Sequence, residues 1–229
     1  MFDKTKIKAV LWDLDDTLYS RVDAARQTFY GMFREHLYIN RSDEFYEEAV
    51  SFMMTKVQRN SMIYEGAFQA LIEKYPPDKE YNRDACVDYY YEHITEFAKP
   101  YNEQIEVIKK LRTSGIKTAI VTNIPKERID SQKRKISVLG LEPLFDAIVI
   151  SAEFGIHKPD RRIFDHAAKL VGASNEECLF VGDDPTSDVQ GAINAGMEAV
   201  WIDKWEYDGS FDDEPRVHRV KSVLEYFEL

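Results

Sequence analysis

The stretch Val10-Leu11-Trp12-Asp13-Leu14-Asp15-Asp16-Thr17-Leu18 decides the fold. An apolar run beginning at Ile7 stops abruptly at an acid, and a second acid follows two residues later. A buried strand that ends in carboxylates delivers them to the edge of a sheet. In open α/β sheets the carboxyl edge is where ligands and chemistry collect. Two acids beside a threonine can supply a nucleophile, a proton carrier and oxygen ligands for a hard cation such as Mg2+.

Working outward, apolar runs at 7–12, 118–121, 147–150, 179–181 and 199–202 read as strands. Four are too short and too uniformly apolar to be half-exposed, so they are expected to be buried on both faces, as in a parallel sheet. Helical patterns separate the later runs. Ile105, Ile108 and Leu111 recur at helical spacing, and Gly115 closes that helix. Pro159 is expected to open a second helix carrying Ile163, Phe164, Ala167 and Leu170, with Gly172 beyond its end. A third spans 188–195 and stops at Gly196, and a final helix is expected over 220–227. Alternating strands and helices predict an α/β fold: a Rossmann-like parallel sheet core flanked by helices, with right-handed crossovers.

Residues 20–98 differ. They hold no convincing strand, and Val22, Ala25, Phe29, Phe33 and Leu37 share one helix face. Phe45, Ala49 and Phe52 share another, and Val87, Tyr90, Ile94 and Phe97 a third. Breaks fall at Asn60-Ser61 and at Tyr75-Pro76-Pro77-Asp78. The expected organisation is an all-helical insert at 20–98 after the first strand, with the α/β core formed by 1–19 and 99–229. Tyr89-Tyr90-Tyr91 offers either a stacking surface for a ring-bearing substrate or the packing face of a helical bundle.

The chain has 229 residues, 44% of them hydrophobic and 31% charged, as in ordinary globular proteins. Its net charge of -11 argues against nucleic-acid binding, which relies on basic patches. A small anionic substrate remains compatible, because a few local cations and a metal can reverse the field within a cleft. No run of about 18 apolar residues exists, so no membrane span is expected. The start, Met1-Phe2-Asp3-Lys4-Thr5-Lys6, lacks the apolar stretch of a secretory signal. Cys86 and Cys178 sit among apolar neighbours and read as buried free thiols in a reducing cytoplasm. The composition fits a monomer or a homodimer.

Each strand is followed by polar residues. The first delivers Asp13 and Asp15, the second Thr122 and Asn123, and the fourth Gly182-Asp183-Asp184-Pro185-Thr186-Ser187-Asp188. Gly155-Ile156-His157-Lys158-Pro159 places a lysine just before a helix start. In a parallel sheet these groups converge on one edge. Phosphoryl transfer needs such a set: a cation to offset the repulsion between carboxylate and phosphate, donors for the phosphate oxygens, and an acid that protonates the leaving alkoxide. Each residue also has a plainer reading. Acids after strands often cap helices, which suits Asp16 and Asp184, and His157 reads as a loop residue. Lys133-Arg134-Lys135 reads as a solvated helix face.

The chain resembles the haloacid dehalogenase-like hydrolase superfamily. Asp13-Leu14-Asp15-Asp16-Thr17 is similar to its DxDxT motif, Thr122 to its strand-end Ser/Thr, Lys158 to its lysine, and Gly182-Asp183 with Asp188 to its acidic fourth motif. The resemblance implies a phosphatase of a small phosphorylated metabolite, a nucleotide or sugar phosphate, nearest the nucleotidase and acylneuraminate-phosphate phosphatase branch. It implies Asp13 as nucleophile and Asp15 as general acid/base. Thr122, Asn123 and Lys158 would bind phosphate. Mg2+ would be held by Asp13, the Asp15 carbonyl and Asp183, with Asp188 and Asp184 outside it. The insert is similar to the family's helical cap. Dehalogenase members lack an acid at the Asp15 position, and mutase-like members carry glycine where this chain has Asp16. A phosphosugar mutase and a catalytically idle binding protein are the alternatives. A receiver-type phosphoacceptor is disfavoured, because its phosphorylated acid follows the third strand.

Overall fold

The computed structural model describes residues 5–57, 64–204, 206 and 211–227. The break expected at Asn60-Ser61 lies outside them. The chain divides into two compact units, one of Met1–Ser20 with Pro100–Leu229, the other of Arg21–Lys99.

The first unit opens with β1 (Ala9–Trp12), whose four side chains are all buried. The second unit follows as four helices: α1 (Arg21–Met32), continued by a wider turn over Phe33–Leu37, α2 (Asp43–Val57), α3 (Tyr64–Lys74) and α4 (Arg83–Phe97). The chain then returns through α5 (Asn102–Thr113), β2 (Lys117–Thr122), α6 (Ile129–Val138), β3 (Ala147–Ile150), the single turn α7 (Ser151–Phe154) and α8 (Arg161–Leu170). It finishes with β4 (Cys178–Gly182), α9 (Gln190–Ala195), β5 (Glu198–Ile202), β6 (Val217–Val220) and α10 (Val223–Phe227).

All six strands are parallel, in the order β3-β2-β1-β4-β5-β6. The chain runs outward from β1 to β3, then reverses to place β4 on the other side of β1. That reversal opens a crevice at the carboxyl ends of β1 and β4, where the first acids emerge. One face of the sheet buries Leu11, Val121, Phe180 and Trp201 against α8 and α9. On α9 the backbone comes close: a Cβ on Gly191 would lie 2.5 Å from Phe164 Cζ and 3.1 Å from the Pro159 backbone. The helical unit has an aromatic core, with Phe29 stacked on Tyr90 at 5.3 Å and edge-on to Phe68 at 6.3 Å.

Several expectations change. Strand β6 was not expected; its Val217-His218-Arg219-Val220 sequence is half-exposed at the sheet edge and lacks an apolar run. Val220 closes that strand, and the last helix begins only at Val223. Pro159 precedes α8, which starts at Arg161 with Asp160 as its cap, accepting from Arg162 N at 3.0 Å. Phe97 is 40% exposed, because it lies in the last turn of α4. Tyr90 is buried in packing, whereas Tyr89 rests on His93 and His36. Arg26 is paired with Glu47 and Ser51 of α2. Both cysteines are buried and free. Among the described residues no helix is long and apolar enough to cross a membrane.

Gly191→Ala is expected to destabilise the protein by roughly 1–3 kcal/mol, because neither the buried Phe164 ring nor the backbone can retreat. Urea denaturation checks it; a midpoint at or above that of wild type would show that the helix–sheet packing there is loose.

Candidate active site

Lys158 is the centre of the crevice. Its ammonium is buried and lies 2.6 Å from Asp13 Oδ1 and 2.7 Å from Asp188 Oδ1. Asp13 follows β1 directly and is fixed by its backbone N–H, which donates to Val181 O on β4 at 2.9 Å. Asp188 reaches back over the end of β4, where Gly182 leaves it room: a Cβ there would sit 2.6 Å from Asp188 Cβ. The lysine loop is held from the side. Asn123 accepts from Lys158 N at 2.9 Å and donates to Lys158 O at 3.0 Å, a two-point clamp that ties the end of β2 to the lysine backbone.

Burial raises Asp13 to about 7, and the nearby Asp188 and Asp15 add to the rise, although Lys158 opposes it. Burial also raises Asp183 well above the usual carboxylate range, helped by Asp16, Asp13 and Asp188. Asp188 is raised too, burial outweighing Lys158. Lys158 is raised, because the two carboxylates outweigh its own burial. The pocket thus holds more negative charge than its lysines offset. Carboxylate oxygens of Asp13, Asp183 and Asp188 all lie within 4.8 Å of one another. Hard oxygen donors that repel one another at this spacing fit a divalent cation such as Mg2+.

A second cluster surrounds Asp15. Burial works against its charge, but Lys135, whose Nζ is 2.8 Å from Asp15 Oδ1, overrides burial. Hydrogen bonds from Tyr19 and from Gln132 Nε2, the latter at 3.0 Å, help hold the carboxyl at about 2. Gln132 Nε2 also donates to Thr122 Oγ1 at 2.6 Å, and Gln132 Oε1 accepts from Lys135 at 2.9 Å. Both residues lie on α6 and are buried. Lys135 was expected on a solvated face; it turns inward because it shares the helix side of Gln132 and Ile136. Gln132 was not anticipated at all. The signal available was the i, i+3, i+4 spacing of Gln132, Lys135 and Ile136.

The remaining acids divide by role. Asp184 caps the turn at Pro185–Val189, accepting from Thr186 N and Ser187 N at 2.8 and 2.7 Å. Asp16 adopts a left-handed backbone at φ 60° and gives its carbonyl to Lys204. His157 is exposed, with Nδ1 2.9 Å from Ser151 Oγ.

This sheet-edge geometry agrees with a family-wide match: a sequence model described as haloacid dehalogenase-like hydrolase covers residues 7–196. The chain belongs to that hydrolase family. A glyceraldehyde 3-phosphate phosphatase of Methanopyrus kandleri is 35% identical to this hydrolase, over 92% of this chain and 88% of that one. An N-acylneuraminate-9-phosphatase of Rattus norvegicus is 26% identical, over 87% and 84%. A HAD-hydrolase of Bacillus subtilis, solved bound to magnesium, has the same fold, with a TM-score of 0.73 at 20% identity over 97% and 98% of the two chains.

Asp13 binds its proton more tightly folded than unfolded. Its contribution to stability therefore falls as pH rises from the ordinary 3.8 toward about 7. With EDTA present, Asp13→Asn is expected to gain stability relative to wild type across that window, by an amount on the order of a few kcal/mol. Urea unfolding at several pH values tests this; a difference that stays constant with pH would contradict it.

Proposed function

We propose that this hydrolase is a Mg2+-dependent phosphatase of a small phosphorylated metabolite, acting through an aspartyl-phosphate on Asp13. The observation that carries the reading is the Lys158 ammonium, buried between Asp13 and Asp188 at the sheet's carboxyl edge.

Asp13 attacks phosphorus, and Lys158 holds its free oxygen and offsets the charge of the phosphate. Thr122 donates to a phosphoryl oxygen. Asp15, two residues along, gives a proton to the leaving alkoxide and takes one from the water that attacks the aspartyl-phosphate. Asp13, the carbonyl of Asp15 and Asp183 would hold the metal, with Asp188 positioning Lys158. When bound, Mg2+ supplies the positive charge that lets a carboxylate approach a phosphate dianion. The helical unit, residues 21–99, serves as a cap that excludes water and reads the substrate. The relatives named as phosphatases of glyceraldehyde 3-phosphate and N-acylneuraminate 9-phosphate support a sugar-like substrate. The two free, buried thiols fit a cytoplasmic enzyme.

Release of phosphate from a panel of glyceraldehyde 3-phosphate, sugar phosphates, phosphoserine and nucleoside monophosphates, with Mg2+ and then with EDTA, tests the reading. Turnover of one class that EDTA abolishes is expected, and Asp13→Asn should lose it while remaining folded. Full activity in Asp13→Asn would refute the mechanism. Asp15→Asn should slow hydrolysis of an alkyl phosphate about 10²-fold or more, yet spare p-nitrophenyl phosphate, whose leaving group needs no proton. Equal losses on both esters would remove Asp15 from proton transfer.

A further inference from the structure

We propose that Gln132 and Lys135 set the direction of the Thr122 hydroxyl, making Gln132 a positioning residue for phosphate binding. The inference rests on the phosphatase reading above and extends it to two residues of α6.

The argument is one of donors and acceptors. The Lys135 ammonium only donates, so the group of Gln132 that faces it at 2.9 Å is the amide oxygen. The other end of the amide, its nitrogen, then faces Asp15 Oδ2 at 3.0 Å. The Lys135 ammonium thus fixes the orientation of the amide. The second hydrogen of the same nitrogen goes to Thr122 Oγ1 at 2.6 Å. An amide nitrogen accepts nothing, so the Thr122 oxygen is the acceptor in this contact. The hydroxyl hydrogen cannot turn toward Gln132, and among the described residues no other acceptor takes it. It remains available to an incoming oxygen. Thr122 is fully buried at the end of β2, where a rotor left to choose would cost part of each donor's value. The same amide links Thr122 to Asp15, so the phosphate-binding and proton-carrying groups share one support.

Gln132→Met keeps length and burial and alters no charge, but deletes the amide. Its effect is read as the inhibition constant of inorganic phosphate, together with direct phosphate binding by calorimetry in the presence of Mg2+. Thr122→Val is expected to weaken phosphate about tenfold. Gln132→Met should weaken it at least threefold, with an unfolding midpoint near that of wild type. Lys135→Met, which does not touch Thr122, should weaken phosphate as well, because the amide is then free to flip. In the Thr122→Val background neither substitution should weaken phosphate further.

Unchanged phosphate affinity in folded Gln132→Met would overturn the proposal, even if Lys135→Met fails to fold. So would losses that add fully to that of Thr122→Val. If wild type neither binds phosphate nor hydrolyses any ester, the phosphatase reading falls first and this inference with it. A wild type that turns over normally beside an indifferent Gln132→Met defeats the inference alone.

Discussion

A buried ammonium cannot stand alone in a protein interior, and that constraint organises this site. Lys158 is almost wholly removed from water, so it must be met by opposite charge and hydrogen-bonded on every side. Asp13 and Asp188 supply the charge. Their approach in turn requires a residue without a side chain at Gly182 and a backbone clamp at Asn123. Strands β1, β2 and β4 are therefore joined at their carboxyl ends by side chains as well as by the ladder.

A second buried lysine applies the same rule a few residues away. Lys135 compensates Asp15 as Lys158 compensates Asp13, but the two pairs have opposite outcomes. Asp15 is held well below the ordinary carboxylate range, while Asp13 stays above it. The difference follows from the neighbours. Asp13 shares its lysine with Asp188 and lies near further acids, whereas Asp15 receives Lys135 with two added donors, Tyr19 and Gln132. Two carboxylates separated by one residue therefore differ in how tightly they hold a proton.

Much of this was legible in the sequence. Asp13, Asp15, Thr122, Lys158, Asp183 and Asp188 follow strands or precede a helix, and uniformly apolar strands that end in polar residues announce a sheet edge. The core strands were readable because both faces are buried. Strand β6 was not, because an edge strand with His218 and Arg219 carries no apolar run. Lys135 was misread because three consecutive basic residues look like one solvated patch. On a helix, consecutive residues point about 100° apart, so Lys133 and Arg134 face water while Lys135 turns inward. The Asn123 side chain is committed to the Lys158 backbone, a clamp that the sequence did not signal.

The points where the helical segment leaves and rejoins the core are sewn together by the core itself. Tyr19 pairs with Pro100 in an isolated antiparallel bridge, and Tyr101 N donates to Leu18 O at 2.9 Å. Lys204 adds a cross-brace, contacting Asp16 O and the Tyr101 hydroxyl. The exit and entry strands are thus already side by side, as at the base of a hairpin, whatever lies between them. Residues 21–99 thus leave and re-enter through a junction that the core builds from its own residues. Sequence and length can drift within that segment while the bonds that close the junction, and those that shape the sheet edge, stay as they are.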